Sequence, residues 1–193
     1  MKQQTIINEH CISGYGIHSG KKANLKLCPA NENTGIIFKR IDLKNKPKIQ
    51  AIFSNVCSTK RSTNIKTKNA EVHTIEHLMA AIFALGIDNL LIEIDNIEVP
   101  ILDGSSQKFT GILRKSGIKK QSSNKKTITI TKKHIIKIDE NDSFFQIEPS
   151  EKFSVEVKLK YDSRFLKNQI AVLEDINKFE NEISSSRTFS FLN

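Results

Sequence analysis

Residues 72–95, VHTIEHLMAAIFALGIDNLLIEID, constrain the fold more than any other stretch, because two hydrophobic periods meet there without a spacer. Ile75, Leu78, Met79, Ile82 and Phe83 recur at the i, i+3, i+4, i+7, i+8 spacing of one apolar helical stripe. Gly86 is a helix stop, and NLLIEID follows it as a strand. At about 100° per residue, His73, Glu76, His77, Ala80, Ala81 and Ala84 fall on the far side of the helix. A solvent-facing side would carry Lys and Glu, so the alanines predict close approach by another element, a second domain or a ligand.

The flanking sequence predicts an α+β unit. KANLKLC sets Ala23, Leu25 and Leu27 against Asn24, Lys26 and Cys28, the period of a half-buried strand. SGYGIHSGK, with Gly14, Gly16 and Gly20 around His18, is a turn-rich link that joins it to TIINEHCI as an antiparallel pair. GIIFKR and IQAIF are two further candidate strands. Beyond NLLIEID, the Asp103-Gly104 turn and a Ser cap lead into a second helix carrying Phe109, Ile112 and Leu113. The polar run KKQSSNKK, 119–126, reads as a linker. After it the plan restarts with TITITKKHIIKI, SFFQIEP, FSVEVKLKY and NQIAV, then a helix near LEDINKFENEIS with Ile176, Phe179 and Ile183 on one face. The expected organisation is a first α+β domain over 1–120 and a partial second over 126–193. If the second repeats the first, it lacks at least a strand and a helix.

Charge, thiols and hydropathy exclude some classes. The net charge of +9 invites a nucleic-acid reading, but the lysines are spread along the chain. Dispersed lysine beside abundant isoleucine and asparagine fits a compositional bias, with an anionic ligand or an acidic membrane surface as the alternatives. Cys11, Cys28 and Cys57 contain no C-x-x-C, which argues against a disulfide framework or a thiolate zinc site and for free thiols in a reducing compartment. No apolar run reaches the roughly 18 residues of a membrane span, and MKQQTIINEHC has no secretory h-region. A soluble, cytoplasmic protein is expected.

Each polar candidate has a plain reading beside a chemical one. His73 and His77 are either satisfied, partly buried histidines or zinc ligands sharing a helical face at i, i+4. The order is not H-E-x-x-H, since Glu76 directly precedes His77. Glu98 and Asp103 read as strand-end and turn residues rather than an acid/base pair. Ser186, Arg187 and Thr188 either terminate a helix or offer a hydroxyl beside a cation as an oxyanion donor.

Read together, GYGIHSGKKANLKLCPA, TIEHLMAAIFALGIDNLLIEIDNIEVPILDGSS and SSSRTFSF closely resemble the UDP-3-O-acyl-N-acetylglucosamine deacetylases of bacterial lipid A synthesis, in order and spacing across all 193 residues. The resemblance implies two similar two-layer α/β sandwich domains, the second incomplete, with the active site between them. It implies a Zn2+ cofactor with His77 as ligand, Glu76 as general base on the metal-bound water, Thr188 as a hydroxyl on the tetrahedral oxyanion and Phe189 as a substrate contact. His73 has no role in the motif. The implied partner is UDP-3-O-acyl-N-acetylglucosamine; apart from the resemblance, no nucleic acid, peripheral contact with a membrane surface and a monomeric state are expected.

One departure stands against activity of these residues alone. The family takes its second histidine and its aspartate ligand from a later H-K-x-x-D type helix, and its general-acid histidine from farther on. The histidines here are His10, His18, His73, His77 and His134, so the remaining ligands are expected from sequence beyond residue 193 and this chain is expected to be an inactive amino-terminal portion. The competing expectations are a non-catalytic nucleotide-sugar-binding module and a basic RNA-binding domain.

Overall fold

A strand that buries one face repeats its apolar residues every second position, and that rule builds the sheet at the centre of the computed structural model, which describes residues 1–138, 143–161, 164 and 166–188. The chain divides into two units, one of residues Met1–Lys125 with the segment from Ile183 on, the other Lys126–Glu182.

The first unit runs through β1 (Lys2–Ile6), β2 (His10–Tyr15), β3 (Lys22–Pro29), β4 (Ile36–Arg40) and β5 (Lys48–Gln50). A single 3-10 turn, Phe53–Asn55, precedes β6 (Val56–Ser58), β7 (Asn64–Thr67) and β8 (Ala70–Val72). Then come α1 (Glu76–Ala84), β9 (Leu90–Ile94), α2 (Gln107–Lys115) and β10 (Ile118–Asn124). Five strands form one sheet in the order β2-β3-β9-β4-β5, antiparallel except for β4 against β9. Leu25 faces Ile94 and Leu27 faces Ile92 in register, and all four are fully buried. On the alternate positions Lys39 faces Glu93 and pairs with it at 2.8 Å. The alternation thus separates an apolar face from a charged one. Leu78 and Ile82 of α1 and Phe109 and Leu113 of α2 join the sheet's buried residues in one core, which makes the unit a two-layer α+β sandwich. Each such side chain contributes about 1.5–3 kcal/mol on burial.

Helix α1 departs from its expected frame. Its buried residues are Leu78, Ala81 and Ile82, with Leu85 buried just beyond, while Phe83 is 57% exposed. The helix begins at Glu76 rather than at residue 73, and it packs against α2. The fully buried Ala81 therefore lies on the core side, where its small side chain permits close approach, and the larger Phe83 is turned outward. Gly86, at φ +66°, ends the helix by donating its N–H to the Phe83 carbonyl at 2.9 Å.

The run 119–126 is not a linker. Most of it is β10, paired antiparallel with β1 from Ile6↔Ile118 to Lys2↔Asn124. Polar side chains do not prevent backbone pairing, and here they hold the strand to its surroundings: the Gln121 side chain donates to the Ala30 carbonyl, and the Ser123 hydroxyl donates to Glu32. IQAIF also behaves differently from its expected strand, since β5 ends at Gln50 and Ile52 and Phe53 project outward.

The second unit holds β11 (His134–Ile138) paired with β12 (Ser143–Ile147), and β13 (Val155–Leu159) paired with β14 (Gln169–Leu173). A 3-10 turn, Ile176–Lys178, leads to the short α3 (Phe179–Glu182). Asp175 caps that turn by accepting the Asn177 N–H at 2.8 Å. The helix is one turn long where the sequence predicts more.

The rotated frame of α1 has a measurable consequence. Leu78→Ala should cost about 2–5 kcal/mol, and Phe83→Ala, at an exposed position, about 1 kcal/mol or less, by urea unfolding; equal losses would restore the expected stripe.

Candidate active site

The buried carboxylate of Glu98 organises the approach to α1. It is 2% exposed and accepts the His18 N–H at 3.0 Å, the Ser19 N–H at 2.7 Å and the Thr74 hydroxyl at 2.9 Å. A Cβ on Gly16 would stand 2.2 Å from Glu98 Oε2, so only glycine lets the 16–19 turn close over the carboxylate. Burial pushes the Glu98 carboxyl up, but the bonds from Ser19, His18 and Thr74 outweigh it and hold it below the ordinary 4.5. Glu98 lies beyond the end of β9 at Ile94, and the sequence reading of it as a turn or strand-end residue misses its role as an anchor. A carboxylate inside the apolar run IEVPIL is the signal that points to it.

Thr74 connects that anchor to the helix. It is buried and sits at φ +58°, a region a β-branched residue enters only when its surroundings over-determine it. The Thr74 N–H donates to Asn64 Oδ1 at 3.1 Å while the hydroxyl is held by Glu98. The chain arrives as an extended segment, with His73 bridged to Glu98, turns sharply at Thr74 and enters α1 two residues later. His73 is therefore outside the helix, and the i, i+4 helical spacing of His73 and His77 does not exist in the fold. The His73 ring lies 3.5 Å from Glu71 instead.

Glu76 and His77 occupy the first turn of α1. Glu76 Oε2 accepts the Thr63 N–H at 2.8 Å, which orients the carboxylate, and Oε1 lies 3.9 Å from His77 Nε2. That separation exceeds a hydrogen bond, so neither atom is consumed by the other. Both side chains retain access to solvent, His77 less than Glu76. An oriented carboxylate next to a half-buried imidazole can remove a proton and ligate a metal, respectively. Burial pushes the Cys28 thiol up to about 11, so it is no competing nucleophile.

Thr188 belongs to the same unit. Its N–H donates to the Gly104 carbonyl at 2.8 Å, and the Ser106 N–H donates to the Ser184 carbonyl at 3.0 Å. The segment around 184–188 is thus fastened to the loop 101–106, where Asp103 Oδ1 accepts from the Ser105 amide and hydroxyl. Thr188 is exposed, and its amide is committed to Gly104. The segment from His73's partner Ile97 to Gly104 meets the start of the site at one end and Thr188 at the other. Phe189 lies outside the described residues.

A depression of about 420 Å³ lined by His18, Lys60, Arg61, Ser62, Asn64 and His73 adjoins Thr63 in sequence. Its cationic lining favours an anionic ligand. Among the described residues no group of three or more His, Cys, Asp or Glu side chains converges. Catalytic zinc takes three protein ligands; His77 fits one of them in kind, and the described residues do not complete the set.

Known proteins resemble this chain over nearly its whole length. A family model described as UDP-3-O-acyl N-acetylglycosamine deacetylase matches residues 3–193. The bifunctional enzyme LpxC/FabZ of Porphyromonas gingivalis is 40% identical over 191 residues, 99% of this chain and 41% of that protein. UDP-3-O-acyl-N-acetylglucosamine deacetylases of Syntrophus aciditrophicus and Wigglesworthia glossinidia brevipalpis are 35% and 38% identical, over 98% and 100% of this chain and 60% and 65% of theirs. The chain thus spans between 41% and 65% of the length of these relatives.

The depressed Glu98 pKa gives a signed expectation. Its stabilisation is fully present above the ordinary 4.5 and is lost as pH falls through the lower folded value. Glu98→Gln should cost about 1.5–3 kcal/mol at pH 7 and flatten the acid limb of the stability curve. An unchanged urea midpoint at pH 7 would remove Glu98 from the role of anchor.

Proposed function

The chain belongs to the UDP-3-O-acyl N-acetylglycosamine deacetylase family, and we propose that its residues serve the zinc-dependent removal of the N-acetyl group from UDP-3-O-acyl-N-acetylglucosamine in lipid A biosynthesis. The observation that carries this reading is the pair at the start of α1, Glu76 oriented by the Thr63 amide and His77 beside it with Nε2 uncommitted.

Zinc, when bound, supplies a nucleophilic water near neutral pH and polarises the acetamide carbonyl. The chain's own groups do the rest. His77 contributes one nitrogen ligand. Glu76 receives the proton of the attacking water at Oε1, the oxygen not committed to Thr63, while Oε2 keeps the carboxylate from rotating. The Thr188 hydroxyl donates to the oxyanion of the tetrahedral intermediate, and Phe189 contacts the substrate. Collapse breaks the C–N bond as the leaving nitrogen takes a proton, expected from the general-acid histidine that the resemblance places beyond residue 193, and gives acetate and the glucosamine amine. The cationic depression around His18 and Arg61 supports an anionic nucleotide sugar as the ligand.

Residues 1–193 supply one zinc ligand on this reading, so alone they are inactive. The enzyme is taken to be a cytoplasmic monomer with peripheral access to a membrane surface and no nucleic-acid partner. No described helix is long and apolar enough to cross a membrane.

Two measurements test this. The purified 193-residue chain should retain far less than one zinc per molecule by elemental analysis and release no acetate above the blank; stoichiometric zinc would contradict the ligand count. In a protein of the relatives' full length carrying this segment, His77→Ala should lose zinc, while Glu76→Gln should keep zinc and lose about 10²–10⁴-fold in kcat. Full zinc content after His77→Ala would refute the assignment.

A further inference from the structure

Residues 43–70 hold seven of the chain's lysines and arginines and neither Asp nor Glu, a net +7 in 28 residues against +9 for the whole chain. Lysines that look dispersed along the sequence are therefore dense in this stretch, which includes β5, the 3-10 turn and β6–β7. Every one of the seven, from Lys44 to Lys68, is exposed. None takes part in an ion pair among the described residues: the bordering Asp42 is engaged by Arg40 at 2.7 Å. Glu71 stands opposite Lys66 in register and lies 3.5 Å from the His73 ring.

An apolar knob rises from the same stretch. Phe53 is 93% exposed and Ile52 44%, and the chain continues from them into a shallow depression of about 540 Å³ where Ser54 to Cys57 meet Lys66 and Lys68. Unpaired Lys66 and Lys68 beside the segment that carries a bare aromatic and a bare aliphatic side chain match an interface that is anionic at its surface and hydrocarbon just beneath.

We propose that this face docks on an anionic phospholipid bilayer, with Ile52 and Phe53 entering the boundary between headgroups and acyl chains and Lys48, Lys66 and Lys68 on lipid phosphates, apart from Lys60 and Arg61, which line the depression beside His18. The charge complementarity alone would also suit single-stranded nucleic acid. However, Phe53 is the only aromatic residue in 43–70, whereas strand binding uses successive aromatic platforms, and Ile52 offers no face for stacking. The inference does not rest on the proposed deacetylation.

Co-sedimentation of the full chain with vesicles tests it. The chain should bind vesicles containing about one-third phosphatidylglycerol, release them as salt rises, and ignore pure phosphatidylcholine. Phe53→Ala should weaken binding about tenfold. Lys48→Gln, Lys66→Gln and Lys68→Gln together should weaken it about a hundredfold, at roughly fivefold per charge. The matched set Lys115→Gln, Lys119→Gln and Lys120→Gln removes equal charge elsewhere and should change affinity by less than about threefold. All these side chains are exposed, so the variants fold. Equal binding to neutral vesicles, no binding to anionic ones, unchanged binding after either substitution at the patch, or equal weakening by the matched set would overturn the proposal. So would tighter binding of a single-stranded RNA oligomer that the same patch variants abolish.

Discussion

One buried carboxylate, Glu98, holds together the parts of the first unit on which the candidate site depends. A buried charge is tolerated only when several donors converge on it, and here they come from separate parts of the chain: the amides of His18 and Ser19 and the hydroxyl of Thr74. The requirement propagates outward. Gly16 must lack a side chain for the turn to approach, and Thr74 is kept in a left-handed conformation that costs about 1–3 kcal/mol in isolation. The direction in which α1 starts follows from that turn. Through Thr74, Glu98 thus bears on where Glu76 and His77 stand.

The site itself divides orientation from reactivity. Glu76 has one oxygen bound to a backbone amide and one left over, so it can act as a base without losing its direction. Thr188 has its amide bound to Gly104, so on the proposed reading its hydroxyl is the group that donates to the oxyanion. In both cases the main chain provides the positioning, and the functional atom is the one the fold does not use. This division suits a reaction whose transition state develops charge in a defined place, because prearranged donors need no reorganisation when that charge appears.

Most of the first unit is legible in the amino-acid sequence because burial imposes periodicity. The alternation in KANLKLC and NLLIEID corresponds to β3 and β9, and FTGIL to the buried face of α2. Three expectations fail for a shared reason: side-chain polarity is a poor proxy for backbone pairing and packing. The polar run 119–126 forms β10, because a ribbon held by backbone bonds needs no apolar face. The apolar Ile52 and Phe53 lie outside the core, because β5 ends before them. The stripe on α1 is rotated, because its first residue and its neighbour α2 set the frame rather than hydrophobicity alone.

The sequence by itself determined the α+β class, the core strands, the Glu-His pair at a helix start and, through the long matching blocks, the family. These are properties of neighbouring residues, and local spacing records them. Only the tertiary structure decided that His73 and His77 do not share a helix, that Glu98 is an anchor, that Thr63 orients Glu76 and that Phe53 and the cations of 43–70 stand exposed, with no ion pair among the described residues. Each of those depends on burial, exposure or a contact between residues distant in the chain. Such relations arise when the chain turns back on itself, and no periodicity along the sequence encodes them.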